Sequence, residues 1–245
     1  SADTFGSEEK MLRSFLDYVR KEDPDIITGW NVIDFDLKIL HDKCKKLGIG
    51  FSIGRSDEDA RLNIQKQFFM DSKANFPGRV VLDGINLLKL SFVSLSDYKL
   101  DTAAIEILGE RKLITDVTRK GTIIEELYQN NKDDLVKYNA KDAKLVIDIL
   151  DKLDIFNLVL TKSRLTGMPP DRVQASVATL DSLYIREARK RGLVCPSSSF
   201  AEKEKGITGG YVMNPNTGIH DNVAVLDFKS LYPSIIVTFN IDPWS

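Results

Sequence analysis

"GWNVIDFDLKIL", residues 29–40, sets one Asn and two Asp where an apolar strand turns into a helix. The preceding Asp25–Thr28 reads as a short buried strand. The following "FDLKILHDKCKKLG" reads as an amphipathic helix with Leu37, Leu40, Cys44 and Leu47 on one stripe and Gly48 closing it. Capping accounts for one of Asp34 and Asp36, because a first-turn Asp accepts backbone N–H bonds. The other needs a different reason, such as a cation.

Outward from this corner, the spacing predicts alternating strands and helices. Ser7 opens a helix with Glu8 and Glu9 in its first turn and Leu12, Phe15, Leu16 and Val19 as its stripe, ended by Pro24. Residues 50–78 read as long polar loops. "RVVLDGINLLKLSF" is a strand turning into a helix, "LDTAAIEILG" a helix capped by Gly109, and "TIIEELYQN" a further short helix. Residues 131–161 are expected as one long helix, and 170–191 as another between Pro169–Pro170 and Gly192. "PSSSFAEKEKGITGG" reads as a connector, and "YVMNPNTGIHDNVAVLDF" as two strands around an Asn-Pro-Asn-Thr-Gly turn. This pattern is an α/β protein with a second unit beginning at its end.

In the long helix, "LVKYNAKDAKLVIDIL" runs a stripe Leu135, Tyr138, Asp142, Leu145, Ile149. A carboxylate in a core-facing line costs several kcal/mol unless it is paired or binds a cation. Tyr138 and Asp142 are one turn apart on one face, which suits a water held against a metal; a lysine partner for Asp142 is the plainer explanation. In "VAVLDFKSLYPSII", residues 223–236, four apolar residues lead to Asp227, as if a buried strand delivered a carboxylate to its open end. Pro233 then forbids a simple continuation of strand or helix.

Composition bounds the rest. The 245 residues are 42% hydrophobic and 29% charged, as in a globular protein with a true core. Apolar runs are too short to span a membrane. Cys44 and Cys195 make no disulfide framework or zinc motif, and "SADTFGSEEK" lacks a signal's basic start and apolar core. A cytoplasmic setting follows as the simplest expectation. A net charge of −2 and a pI of about 5.8 carry no electrostatic footprint of nucleic acid. The basic patches at 118–121 and 186–192 read as solvated helix ends.

Together these motifs resemble the family B DNA polymerases. "DFKSLYPSII" is similar to motif A of the palm, residues 31–36 to the second exonuclease motif, "YNAKD" to the third, and Gly209-Gly210-Tyr211 to the motif joining the two parts. The resemblance implies a partial ribonuclease-H-like 3′–5′ exonuclease domain (residues 1–165), a helix and connector (166–208) and the first strands of a polymerase palm (209–245). It implies Asp36, Tyr138, Asp142 and Asp227 as catalytic residues. Asp36 and Asp142 would hold one Mg²⁺ pair, and Asp227 with the Phe228 carbonyl another; Mn²⁺ could substitute. Asn31 and Phe35 would contact the frayed primer, Ser230 and Leu231 the dNTP phosphates, and Tyr232 the sugar. Asp34 is left as the helix cap.

Primer-template DNA and dNTP are the implied partners, with a sliding clamp as a candidate and no membrane; the implied role is repair or restart of replication. The family's Asp-x-Glu motif is not seen before residue 29, and its later polymerase motifs are not seen before Ser245. The expectation is a segment of a larger enzyme, inactive by itself and prone to self-association through an uncovered sheet edge. Two other readings remain, a stand-alone ribonuclease-H-like nuclease and a non-catalytic DNA-binding or scaffold module.

Overall fold

A parallel pair of short strands organises the larger of two compact units, Ser1–Pro196; the other is Ser197–Ser245. The computed structural model describes residues 3–65, 72–110, 120–195 and 209–241. Strand β1 (Ile26–Gly29) lies beside β4 (Val80–Asp83), with Ile26 opposite Val80 and Gly29 opposite Asp83. The Thr28 hydroxyl donates to the Leu82 carbonyl at 2.7 Å, a cross-link besides the ladder. Among the described residues no strand pairs with the other edge of β1.

Successive strand residues face opposite sides, and this alternation splits the core in two. Val81 joins a cluster with Leu12 and Leu16 of α1 (Glu8–Glu22), and with Leu37 and Cys44 around α2 (Lys38–Lys46). Its neighbour Leu82 joins Leu87 and Leu88 of α3 (Gly84–Leu90), Ala103 of α4 (Leu100–Ala103), Leu145 and Ile149 of α6 (Lys132–Lys152), and Ile155 and Val159 of α7 (Ile155–Thr166). The fold is therefore mixed α/β, with helices on both faces of the strand pair. Between α4 and α6, α5 (Lys120–Asn130) is the helix expected at "TIIEELYQN".

Ser7 caps α1 as expected, accepting from the Lys10 N–H at 3.2 Å. Other expectations fail. Residues 50–78 hold a small antiparallel pair, β2 (Arg61–Asn63) and β3 (Lys73–Asn75), because Leu62 and Ala74 can face the α1–α2 core while their neighbours face water. The helix expected over 131–161 is two helices. Asp154 takes a left-handed backbone (φ 52°) between α6 and α7, and the reversal lets Ile155 and Val159 pack back against the same cluster. A stripe continuous in sequence conceals such a break. At 170–191 a 3-10 turn (Pro170–Arg172) precedes α8 (Ser176–Lys190).

In the second unit the two expected strands are absent among the described residues: 209–228 form no ladder, and every described residue from 209 to 241 is exposed. An extended segment is stable only with partners for its N–H and C=O groups, and none is described here. Pro233 does not prevent a helix either. It sits third in α9 (Leu231–Phe239), in the first turn, where a backbone N–H has no partner inside the helix. The connector at 196–208 and most of the 118–121 patch lie outside the described residues.

Two buried ionic groups hold the strand pair in place. The Arg79 side chain, 1% exposed, donates to the carbonyls of Ile53 (2.9 Å) and Pro24 (2.5 Å) and to the Asp23 carboxylate (2.8 Å), tying the residue before β4 to the end of α1. Arg55 donates to the same carboxylate and holds it below the ordinary range.

Asp83 ends β4 at 7% exposure. One of its carboxylate oxygens accepts from the Ile85 N–H of α3 at 3.0 Å, the other from the Ile33 N–H at 3.4 Å. Burial raises its carboxyl above the ordinary value; these N–H bonds oppose the rise, and the Asp34 charge adds to it.

Replacing Arg79 with Leu should lower unfolding free energy in urea by about 3 kcal/mol, since it strands buried acceptors. An effect no larger than that of Arg55→Leu would refute its role. For Asp83 the folded chain holds the proton more tightly than the unfolded one. Stability should therefore fall as pH rises from 3.8 through the raised value. Wild type should lose ground to Asp83→Asn across that window in paired chemical melts, and a gain instead would reverse the assignment.

Candidate exonuclease site and motif A

The corner at residues 29–40 is tighter than a strand-to-helix turn requires. Gly29 has no room for a side chain, since a Cβ there would meet Val32 Cβ and Cγ2 at 3.0 Å. Asn31 has a left-handed backbone (φ 56°), which Asn tolerates better than most residues. Beyond it the chain enters a π-helical turn, Ile33–Leu37, that runs directly into α2. Its signature is the Leu37 N–H donating to the Val32 carbonyl, five residues back, at 2.8 Å. Such widened turns insert one residue and frequently mark functional positions.

The turn sorts its side chains. Val32, Ile33 and Leu37 are buried, while Asn31, Asp34, Phe35 and Asp36 face out. Phe35 stays 59% exposed, a large ring offered to whatever approaches. Asp36 reaches the surface, yet the protein packed around its base raises its carboxyl above the ordinary value, opposed by its own backbone N–H. The Asp34 expectation fails: no side chain at the start of the π turn or of α2 caps it. The acceptor comes from β4 instead. Asp83 serves Ile33 and Ile85 together and so caps two helix starts with one carboxylate.

Asp83 was not singled out in the sequence, although "VVLD" ending before a Gly and an apolar helix was the available signal. Gly84 completes the corner, because a Cβ on it would meet the Gly29 carbonyl at 3.1 Å, Trp30 Cε3 at 3.2 Å and Val146 Cγ1 at 3.6 Å. The Trp30 indole N–H donates to the Tyr98 carbonyl at 2.9 Å.

Through Val146, α6 passes the carboxyl ends of β1 and β4. Asp142 is one turn earlier on that face, and Tyr138 one turn earlier again. The expected stripe is real: Tyr138, Leu145 and Ile149 are buried, and Leu135 and Asp142 half-buried. The fold thus directs the Asp36 turn and the Asp142 face of α6 to the same end of the strand pair. No three His, Cys, Asp or Glu side chains form a metal-holding set among the described residues.

The motif A residues belong to the second unit. Asp227 is exposed and follows no strand. Phe228 (79% exposed) and Tyr232 (78%) are open to solvent. Ser230 takes a left-handed backbone (φ 55°), and its carbonyl accepts the Ser234 N–H at 2.9 Å, so Ser230, Leu231 and Tyr232 gather at the start of α9. Gly209, Gly210 and Tyr211 are exposed, with open space around both glycines.

Two family models match the chain. Residues 3–103 match the family model described as DNA polymerase family B, exonuclease domain, and residues 173–244 match DNA polymerase family B. The chain is 37% identical over 237 residues to DNA polymerase II of Escherichia coli (strain K12), covering 96% of this chain and 29% of that protein. It is 29% identical to a DNA polymerase of Thermococcus sp. (strain 9oN-7), over 98% of this chain and 31% of that one. It is 31% identical to the DNA polymerase delta catalytic subunit of Glycine max, over 97% and 23%. The chain therefore spans less than a third of the length of these relatives. With two models of one family matched in the order exonuclease then polymerase, it belongs to the family B DNA polymerases.

Proposed function

We propose that this chain is the part of a DNA-directed DNA polymerase that links a ribonuclease-H-like 3′–5′ proofreading exonuclease to the start of the palm, acting in repair or restart of replication. The observation that carries it is the π turn: it leaves Phe35 and Asp36 exposed at the strand end that α6 reaches through Val146, with Asp142 and Tyr138 one and two turns earlier along that helix. A primer end frayed from its template would meet Phe35 as a stacking surface and Asn31 as a hydrogen-bonding one.

The donor chemistry suits a divalent cation. Asp36 and Asp142 offer only hard oxygen ligands, and Mg²⁺ typically binds one or two carboxylates and keeps several waters. The partly desolvated Asp36 carboxylate would gain most from a cation. Bound metal would supply charge stabilisation for the attacking and leaving oxygens of phosphodiester hydrolysis. Tyr138 would orient the attacking water through its hydroxyl.

In the second unit, Asp227 and the Phe228 carbonyl would hold the metal that accompanies a dNTP. Ser230 and Leu231 would face its phosphates, and the Tyr232 ring would pack against its sugar and exclude a 2′-hydroxyl. Primer-template DNA is the partner, a sliding clamp a further one, and the cytoplasm the setting.

In a polymerase carrying this segment, Asp36→Ala or Asp142→Ala should each slow 3′–5′ digestion of a labelled single strand by about 10²–10³-fold while primer extension persists. Tyr138→Phe should slow digestion less. The 245-residue chain should melt at higher temperature with Mn²⁺, and either Asp→Ala change should remove that rise. Unchanged digestion in both variants would sink the proofreading assignment.

A further inference from the structure

A cavity of about 370 Å³ lies beside the corner described above, with Ile33 and Asp83 in its lining. It opens between the β2–β3 pair, β4 with α3, and the 3-10 turn Pro170–Arg172, which packs on β4 and α7. Ile33, Val81 and Leu87 line it with apolar groups, and the doubly bonded Asp83 lines it as well. Four carboxamide residues line it: Asn63 at the end of β2, Gln65 just beyond it, Asn86 of α3, and Gln174 after the 3-10 turn.

The Gln65 side-chain NH₂ donates to the Asn63 oxygen at 3.0 Å, and among the described residues the Asn63 NH₂ and the Gln65 oxygen make no other hydrogen bond. Asn86 and Gln174 make no side-chain hydrogen bond among the described residues. Lys73 and Arg172 stand at the exposed rim, with Asp171 3.7 Å from the Arg172 guanidinium.

Flat apolar walls suit the faces of an aromatic ring, carboxamides match the paired donors and acceptors of nucleobase edges, and rim cations suit a phosphate. The volume is that of a small-ligand pocket and does not admit a duplex. Ile33, which lines the cavity, is also the first residue of the π turn that bears Phe35 and Asp36. We propose that this cavity binds one unpaired nucleotide of a DNA strand, base inward against the carboxamides and phosphate outward toward Lys73 and Arg172. The inference rests on the proposed action on DNA.

The test is NMR titration of the ¹⁵N-labelled 245-residue chain with the four deoxynucleoside monophosphates, and with inorganic phosphate alone. Saturable shifts of the Asn63, Gln65, Asn86 and Gln174 side-chain amides, absent with phosphate, are expected for at least one nucleotide. Asn86→Ala and Gln174→Ala should each weaken that binding about fivefold, the usual effect of one lost hydrogen bond. Gln174 lies outside regular structure, so its variant reports on binding even if Asn86→Ala disturbs α3. Asp36→Ala should leave the affinity unchanged. Equal shifts with phosphate alone, or shifts confined to Phe35 and Asp36, would overturn the pocket. If digestion by the longer polymerase still depends on Asp36, that failure falls on the pocket alone; if that dependence is lost too, it falls on the functional reading.

Discussion

The carboxylate of Asp83 is the constraint on which the larger unit turns. It lies at the carboxyl end of β4, almost wholly out of water, and its oxygens accept from the first N–H groups of two different helical segments. Burying an ionised carboxyl is unfavourable, and the raised pKa records that cost. Charge-assisted bonds to backbone N–H groups and the positive ends of two helices offset it. The outcome is geometric: α3 and the π turn must both begin at one point, so the direction in which the chain leaves β1 is set from β4.

That fixed departure explains the crowding at the corner. Gly29 and Gly84 are glycines because Val32, Trp30 and the Gly29 carbonyl occupy the places their side chains would fill. With the backbones so close, the π turn rotates Val32, Ile33 and Leu37 inward and leaves Phe35 and Asp36 outside. A regular helix would advance these residues by a different angle and could not bury all three while exposing both of the others. The widened turn is thus the local solution that reconciles a packed corner with an outward acid and ring. Arg79 does comparable work at the opposite end of the strands, anchoring the entry to β4 on the end of α1.

The contrast between two similar strings shows what sequence leaves open. "VVLD" at 80–83 and "VAVLD" at 223–227 both place an Asp after an apolar run. The first forms a strand and delivers a buried acid, because β1 supplies a ladder partner and helices cover both faces. The second remains exposed and unpaired among the described residues. Apolar composition permits a strand, but hydrogen-bond partners make one. The likeness of "DFKSLYPSII" to motif A carried family membership without carrying its local conformation.

The sequence by itself determined the periodic features: the Ser7 cap, the apolar stripes of α1 and α2 except for Phe15 and Leu47, which are exposed, the stripe of α6, the strand-to-helix change at residues 80–90, and the order of motifs that marks the family. Each depends on spacing along one element or on residues near in the chain. The tertiary structure decided whatever depends on groups far apart in sequence. It gave the cap to Asp83 and withheld it from Asp34, broke the long apolar stripe at Asp154, paired β2 with β3, and gathered Asn63, Gln65, Asn86 and Gln174 around one cavity. A cap, a break or a cavity wall is fixed by which segment packs alongside, and no single stretch of sequence carries that information.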